Sequence, residues 1–160
     1  KNRFGGHIRS FYSVAQHLVA VSYSLDSLDD KRWGLLHDAA EAYLGDQVRP
    51  LKRHMFFQLN GEMLSFEDVE NRMLACIAER FGLSMPIPDS VHHADNQWLR
   101  VEAEQLIGCS ALEWTLDLPD MQPRPVLTSW TPEEARTEFL TQFYLLFPFE
   151  AQRWVHTKKR

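Results

Sequence analysis

Residues 35 to 46 read Leu35-Leu36-His37-Asp38-Ala39-Ala40-Glu41-Ala42-Tyr43-Leu44-Gly45-Asp46. The apolar residues recur at the three- and four-residue intervals of a helix, and Gly45 stops it. Among them stand three ionisable groups, and a charge buried without a partner costs several kcal/mol. Glu41 follows His37 by four residues and Asp38 by three, so all three share one region of the helix surface. A cation is expected there. The plainer alternative is an amphipathic helix whose Asp38 and Glu41 face water.

Working outward toward the N-terminus, Asp29 or Asp30 caps this helix, which is expected to run unbroken to Leu44. Ser13 and Gln16 form a capping box for an earlier helix over 14 to 25, with Val14, Leu18, Val21 and Leu25 inward. His17 lies beside that inward face. Taken alone it reads equally well as a core histidine bonded to a carbonyl.

In the other direction, residues 47 to 61 read as a basic, aromatic connection containing Arg49, Pro50, Lys52 and Arg53. A third helix starts at Ser65 and Asp68, carries Val69, Met73 or Leu74, Ile77 and Phe81, and ends at Gly82. Asp89 or Ser90 caps a fourth, which reaches about Ile107 and holds Asp95 beside Trp98 and Leu99. From Cys109 to Trp130 no periodicity is visible, and a long surface loop is expected. Thr131, Pro132 and Glu134 then begin a last helix with Ala135, Phe139, Phe143 and Leu146 inward. With no alternating segment and no two-residue hairpin expected, the reading is all-α: five or more helices bundled around a central site.

Composition narrows the function. A chain of 160 residues, 44% hydrophobic, suits one domain with one core. The net charge of −5 and the absence of a Lys/Arg run argue against a stable nucleic-acid complex, while a local positive cluster could still hold a phosphorylated ligand. The two cysteines, Cys76 and Cys109, form no metal-binding or disulfide pattern, which fits a reducing cytoplasmic setting. No apolar run reaches the roughly 18 to 20 residues that span a bilayer, so no membrane association is expected. The sequence does not begin with Met, and a missing N-terminal segment is expected.

Two imidazoles, His17 and His37, with two carboxylates, Asp38 and Asp95, make a mixed N/O donor set that suits one divalent Zn, Mn, Co, Fe or Ni ion better than Ca. The order His, His-Asp, Asp across three helices resembles the HD superfamily of metal-dependent phosphohydrolases. The likeness extends over Tyr12-Ser13-Val14-Ala15-Gln16-His17, the stretch from Leu35 to Asp46, and Ala94-Asp95, within residues 3 to about 106. Within the superfamily the chain is most similar to the YfbR-like 5′-deoxynucleotidases and to related phage enzymes that strip triphosphate from dATP.

That resemblance implies an HD helical bundle that binds metal through His17, His37, Asp38 and Asp95. It also implies roles in the chemistry for Glu41 and Asp46, and an arginine near Arg3-Phe4 for the phosphate. The reaction it implies is release of phosphate from deoxynucleoside 5′-monophosphates by activated water, with dNTP triphosphohydrolysis or non-catalytic nucleotide binding as alternatives. The chemistry is consistent. A bound transition metal lowers the pKa of water from 15.7 toward about 7, whereas a lone acid or base supplies only about 10² to 10⁴-fold. Glu41 and Asp46 are each placed to orient water or relay its proton; equally, Glu41 could pair with Lys52 or Arg53 and Asp46 could cap a turn.

For the phosphate, Arg3, Arg9, Arg49, Lys52 and Arg53 are candidates, with arginine favoured by its planar fork and Arg3 placed first. Phe4 could stack on a base, with Gly5, Gly6 and His7 letting backbone approach the ligand. His92 and His93 point in different directions on their helix and are not expected to ligate; His54 and His156 read as surface residues. Trp114, Trp130 and Trp154 read as core or subunit contacts. The aromatic C-terminal helix, with Phe139, Phe143, Tyr144, Phe147, Phe149 and Trp154, suggests a homo-oligomer.

Overall fold

The computed structural model describes residues 2–108 and 117–149. After a turn at Arg3–Gly6 come α1 (Val14–Tyr23), α2 (Leu28–Leu36), two short helices α3 (Glu41–Leu44) and α4 (Arg49–Lys52), a hairpin of β1 (Phe56–Leu59) and β2 (Glu62–Ser65), then α5 (Phe66–Phe81), α6 (Asp89–Glu102) and α7 (Pro132–Leu146). The protein is mostly helical. No described helix is long and apolar enough to cross a membrane.

Helix α1 packs against α2, α6 and α7. Its Val14, Leu18 and Val19 meet Leu35 and Leu36 of α2 and Leu146 and Phe147 at the end of α7. On the other side Val21 and Leu25 join Trp33, Ala78, Val91 and Ala94, which ties α5 and α6 to the same centre. Trp130, Phe139 and Phe143 pack on the first cluster, and Phe147 is buried. The chain itself thus uses much of the aromatic surface that suggested an oligomer, leaving Tyr144, Leu145 and Phe149 exposed. Trp114, Trp154, His156 and Cys109 lie outside the described residues.

Four expectations change. The class is not strictly all-α: Phe56 to Leu59 pairs antiparallel with Glu62 to Ser65. Asn60 and Gly61 turn between them with φ of 51° and 86°, the doubly positive pair that a two-residue hairpin needs and that Asn-Gly adopts readily. Second, the helix expected to run through Leu44 breaks at its functional centre. Ala39, Glu41, Ala42 and Tyr43 donate to carbonyls three residues back, the tighter i to i+3 bonding that changes how successive side chains are splayed.

Third, helix starts shift. Ser27, not Asp29 or Asp30, caps α2 by accepting from Asp30 N, and Pro88 precedes α6, which passes at Ala103–Ile107 into a π-helical turn ended by left-handed Gly108. Fourth, α1 ends at Tyr23, and its capping box is half-formed. Ser13 accepts from Gln16 N, but the Gln16 amide reaches away, donating to Thr128 O and accepting from Trp130 N. The cap and N3 carboxylate expected at Thr131 and Glu134 form a complete box, and Ser65 with Asp68, at the start of α5, forms another.

Candidate metal centre

The cluster exists because α1 and α2 approach closely. A Cβ on Gly34 would lie 2.7 Å from Leu25 Cδ1 and 3.0 Å from Ser22 Cα, so only glycine fits this crossing unless a neighbour moves. Beyond this crossing, His17, earlier in α1, and His37, just past the end of α2, bring their Nε2 atoms to 3.4 Å. Asp95 Oδ1, brought by α6, lies 3.2 Å from His17 Nε2 and 3.8 Å from His37 Nε2. Asp38 Oδ2 lies 3.8 Å and 3.5 Å from the same two nitrogens. His17, His37 and Asp95 each offer one donor atom, all within 4.8 Å of one another.

The far side of each imidazole fixes its proton. His37 Nδ1 is 2.9 Å from the Gly34 carbonyl, which only accepts, so Nδ1 donates. His17 Nδ1 is 2.6 Å from Glu102 Oε1, and Glu102 is held ionised. Burial alone would raise its pKa, but Arg3 and His17 bring it below the usual range. With both Nδ1 atoms turned backward to acceptors, the two Nε2 atoms face forward, toward the Asp38 and Asp95 carboxylates. His17, His37 and Asp95 thus bring two imidazole nitrogens and a carboxylate oxygen together, with Asp38 Oδ2 beside the imidazoles, a donor set that could hold a cation. Without a cation, protons take its place. Burial and Arg3 would lower the His17 pKa, yet Glu102 and Asp95 hold it at about 9.

Glu41 is buried one turn beyond, with Lys52 Nζ 3.7 Å from its Oε1, the pairing weighed above as the alternative to a role in the chemistry. Burial, reinforced by Asp38 and Asp46, pushes its pKa up to about 8. Asp46 follows Gly45, whose φ of 88° makes the turn. Its Oδ2 is buried with no hydrogen-bond partner among the described residues.

The basic candidates separate sharply. Arg3 is 8% exposed. Its Nε and Nη2 donate to Glu102 Oε2 at 3.2 and 3.1 Å, and its Nη1 to Asp38 Oδ2 at 3.4 Å. Arg49, by contrast, has a side chain 51% exposed, donates to Asn96 Oδ1 at 3.2 Å and stands 3.8 Å from Asp95 Oδ2. Lys52 bonds Glu70 at 2.8 Å and lies over the Phe66 ring. Arg9 is exposed, with its guanidinium against Gly108. Phe4 sits under the Arg3 guanidinium and packs on Leu99 and Leu118. His7, Arg53, His54, His92 and His93 are exposed.

Sequence reading missed Glu102, which is 0% exposed and binds both His17 and Arg3. The readable signal was its place at the helical interval between Leu99 and Leu106, both buried. A glutamate on an apolar stripe demands a buried partner.

No family model matches the chain. It is 36% identical over 104 residues to the uncharacterized protein YfdR of Escherichia coli K12, an alignment covering 65% of this chain and 53% of that protein, so the chain spans about half its length. It is 32% identical over 151 residues to the uncharacterized protein RCAP_rcc00048 of Rhodobacter capsulatus, covering 84% of this chain and 72% of that protein. On that likeness the chain belongs to the family that includes RCAP_rcc00048.

Proposed function

We propose that the protein is a metal-dependent phosphohydrolase of HD type that releases phosphate from deoxynucleoside 5′-monophosphates. The observation that carries this reading is the pair of Nε2 atoms 3.4 Å apart, each with its Nδ1 turned to an acceptor, facing Asp38 and Asp95. His17, His37, Asp38 and Asp95 would hold one divalent ion of the Zn, Mn, Co, Fe or Ni group. Such an ion polarises a phosphoryl oxygen and acidifies water at neutral pH.

The chain's own groups do the rest. Glu41, beside Lys52, is positioned to give or take a proton at the edge of the cluster. Asp46 offers a buried acceptor to orient the attacking water. Arg49 is the guanidinium that a phosphate reaches without breaking a buried ion pair, since Arg3 is already engaged by Glu102 and Asp38. Its half-exposed fork beside Asp95 therefore ranks first for the phosphate, ahead of Arg3, and the nucleotide is taken to enter from that side.

The test is a panel of nucleoside mono-, di- and triphosphates with Mn, Co or Zn, reading phosphate colorimetrically and tripolyphosphate by ³¹P NMR. Phosphate from deoxynucleoside monophosphates is the expected result. Tripolyphosphate from dNTPs would move the substrate to the triphosphate class, and tight nucleotide binding without turnover would make the protein a binding module.

A further inference from the structure

Glu102 is a fully buried carboxylate with no place in the reaction proposed above. It stands seven residues after Asp95, two turns along α6 and on the same face. One helix therefore holds the His17 ring from both sides, with Asp95 Oδ1 at Nε2 and Glu102 Oε1 at Nδ1, 3.2 and 2.6 Å away. The second Glu102 oxygen receives two N–H groups of Arg3, whose remaining arm reaches Asp38. Glu102 thus touches one member of the cluster directly and a second through Arg3.

We infer that Glu102 is a positioning residue that fixes His17 as its Nδ1–H form, aims Nε2 at the ion, and through Arg3 sets the position of Asp38. The inference rests on the metal reading above. An ionised carboxylate behind an imidazole raises the basicity of the facing nitrogen and locks the ring's rotation; losing such support costs about 10- to 100-fold in metal affinity. A neutral amide in its place would present one oxygen and one NH₂ group. If the oxygen kept His17, the NH₂ would face Arg3 donor to donor.

The test is Co(II) titration of the whole chain, wild type against Glu102→Gln and Glu102→Asp, followed by calorimetry and the visible Co(II) bands, with no substrate present. About 10- to 100-fold weaker binding by Glu102→Gln is expected, with partial recovery in Glu102→Asp. Equal affinity in wild type and Glu102→Gln would overturn the inference and leave the metal reading standing; no Co(II) binding by wild type would overturn both. Because Glu102→Gln removes a buried charge and could fail to fold, the wild-type protein supplies a second measurement. In ¹⁵N-histidine NMR of the Zn-loaded chain, His17 is expected to carry its proton on Nδ1 and the ion on Nε2. The reverse assignment would overturn the role given to Glu102.

Discussion

Helix α6 carries charged residues on two faces, and the two networks behave as opposites. Inward, Asp95, still 20% exposed, and the fully buried Glu102 meet the buried side chains of His17, His37 and Arg3. Outward, the half-buried Arg100 and, in the π-helical turn beyond, Glu104 join the exposed Asp120 and Arg124 in a surface lattice, where Arg124 draws the Asp120 carboxyl down to about 2. Arginine and carboxylates occur in both, the two histidines only in the inner one, and the distances are similar. What differs is water: outside, it screens each pair until little stability is gained; inside, each ion must find protein partners or a bound cation. Ion pairs on one helix thus serve as surface decoration on one face and as a site on the other.

Removing an inner group should have the largest effect. His37→Ala or Asp38→Ala is expected to abolish tight metal binding and to cut hydrolysis by more than the roughly 100-fold at the upper end of supporting-residue losses. Undiminished turnover after Asp38→Ala would break the contrast altogether. Next comes the crossing that assembles the cluster: Gly34→Ala should cost about 1–3 kcal/mol in urea unfolding through overpacking against Ser22 and Leu25. It should also weaken metal binding, since the same contact sets the spacing of the two imidazoles. Arg49→Ala lies between the two regimes. It should raise KM for a phosphate ester roughly tenfold while leaving the unfolding midpoint unchanged.

Smaller effects sharpen the outer side of the comparison. Backbone and side-chain hydrogen bonds from Thr131 hold the exposed Glu134 carboxyl below its ordinary range. Because the folded value lies below the unfolded one, its contribution is complete above the ordinary glutamate pKa and is lost as pH falls through the depressed value. The urea midpoints of wild type and Glu134→Gln should therefore differ at neutral pH and converge in acid. Arg124→Ala, on the exposed lattice, should leave the midpoint unmoved; a clear drop would mean that the outer network is less screened than its exposure implies.

The grouping of His37, Asp38 and Glu41 was legible because helical spacing decides which side chains share a region, and Glu41 follows the other two by four and three residues among apolar neighbours. Glu102 was not recognised, since glutamate is a good helix former and only its register with Leu99 and Leu106 betrays it. Asn60-Gly61 was a local signal passed over, because Phe56 to Leu59 does not alternate and its burial is uneven. The break after Leu36 had no local signal at all: Ala39-Ala40-Glu41-Ala42 favours continuous helix, and the tighter turn at this point belongs to the tertiary arrangement around the cluster. Burial of Arg3 was equally invisible, since it depends on Glu102, 99 residues away.

The Gln16 side chain has a use beyond packing. Its amide imitates a neighbouring strand for the backbone at Thr128 and Trp130, pinning an irregular segment to the helix turn that bears His17. Accessibility of that segment to a protease therefore reports on the geometry around His17. A nicking assay between Met121 and Ser129 would follow assembly of the centre in a variant that has lost all turnover, with no substrate needed.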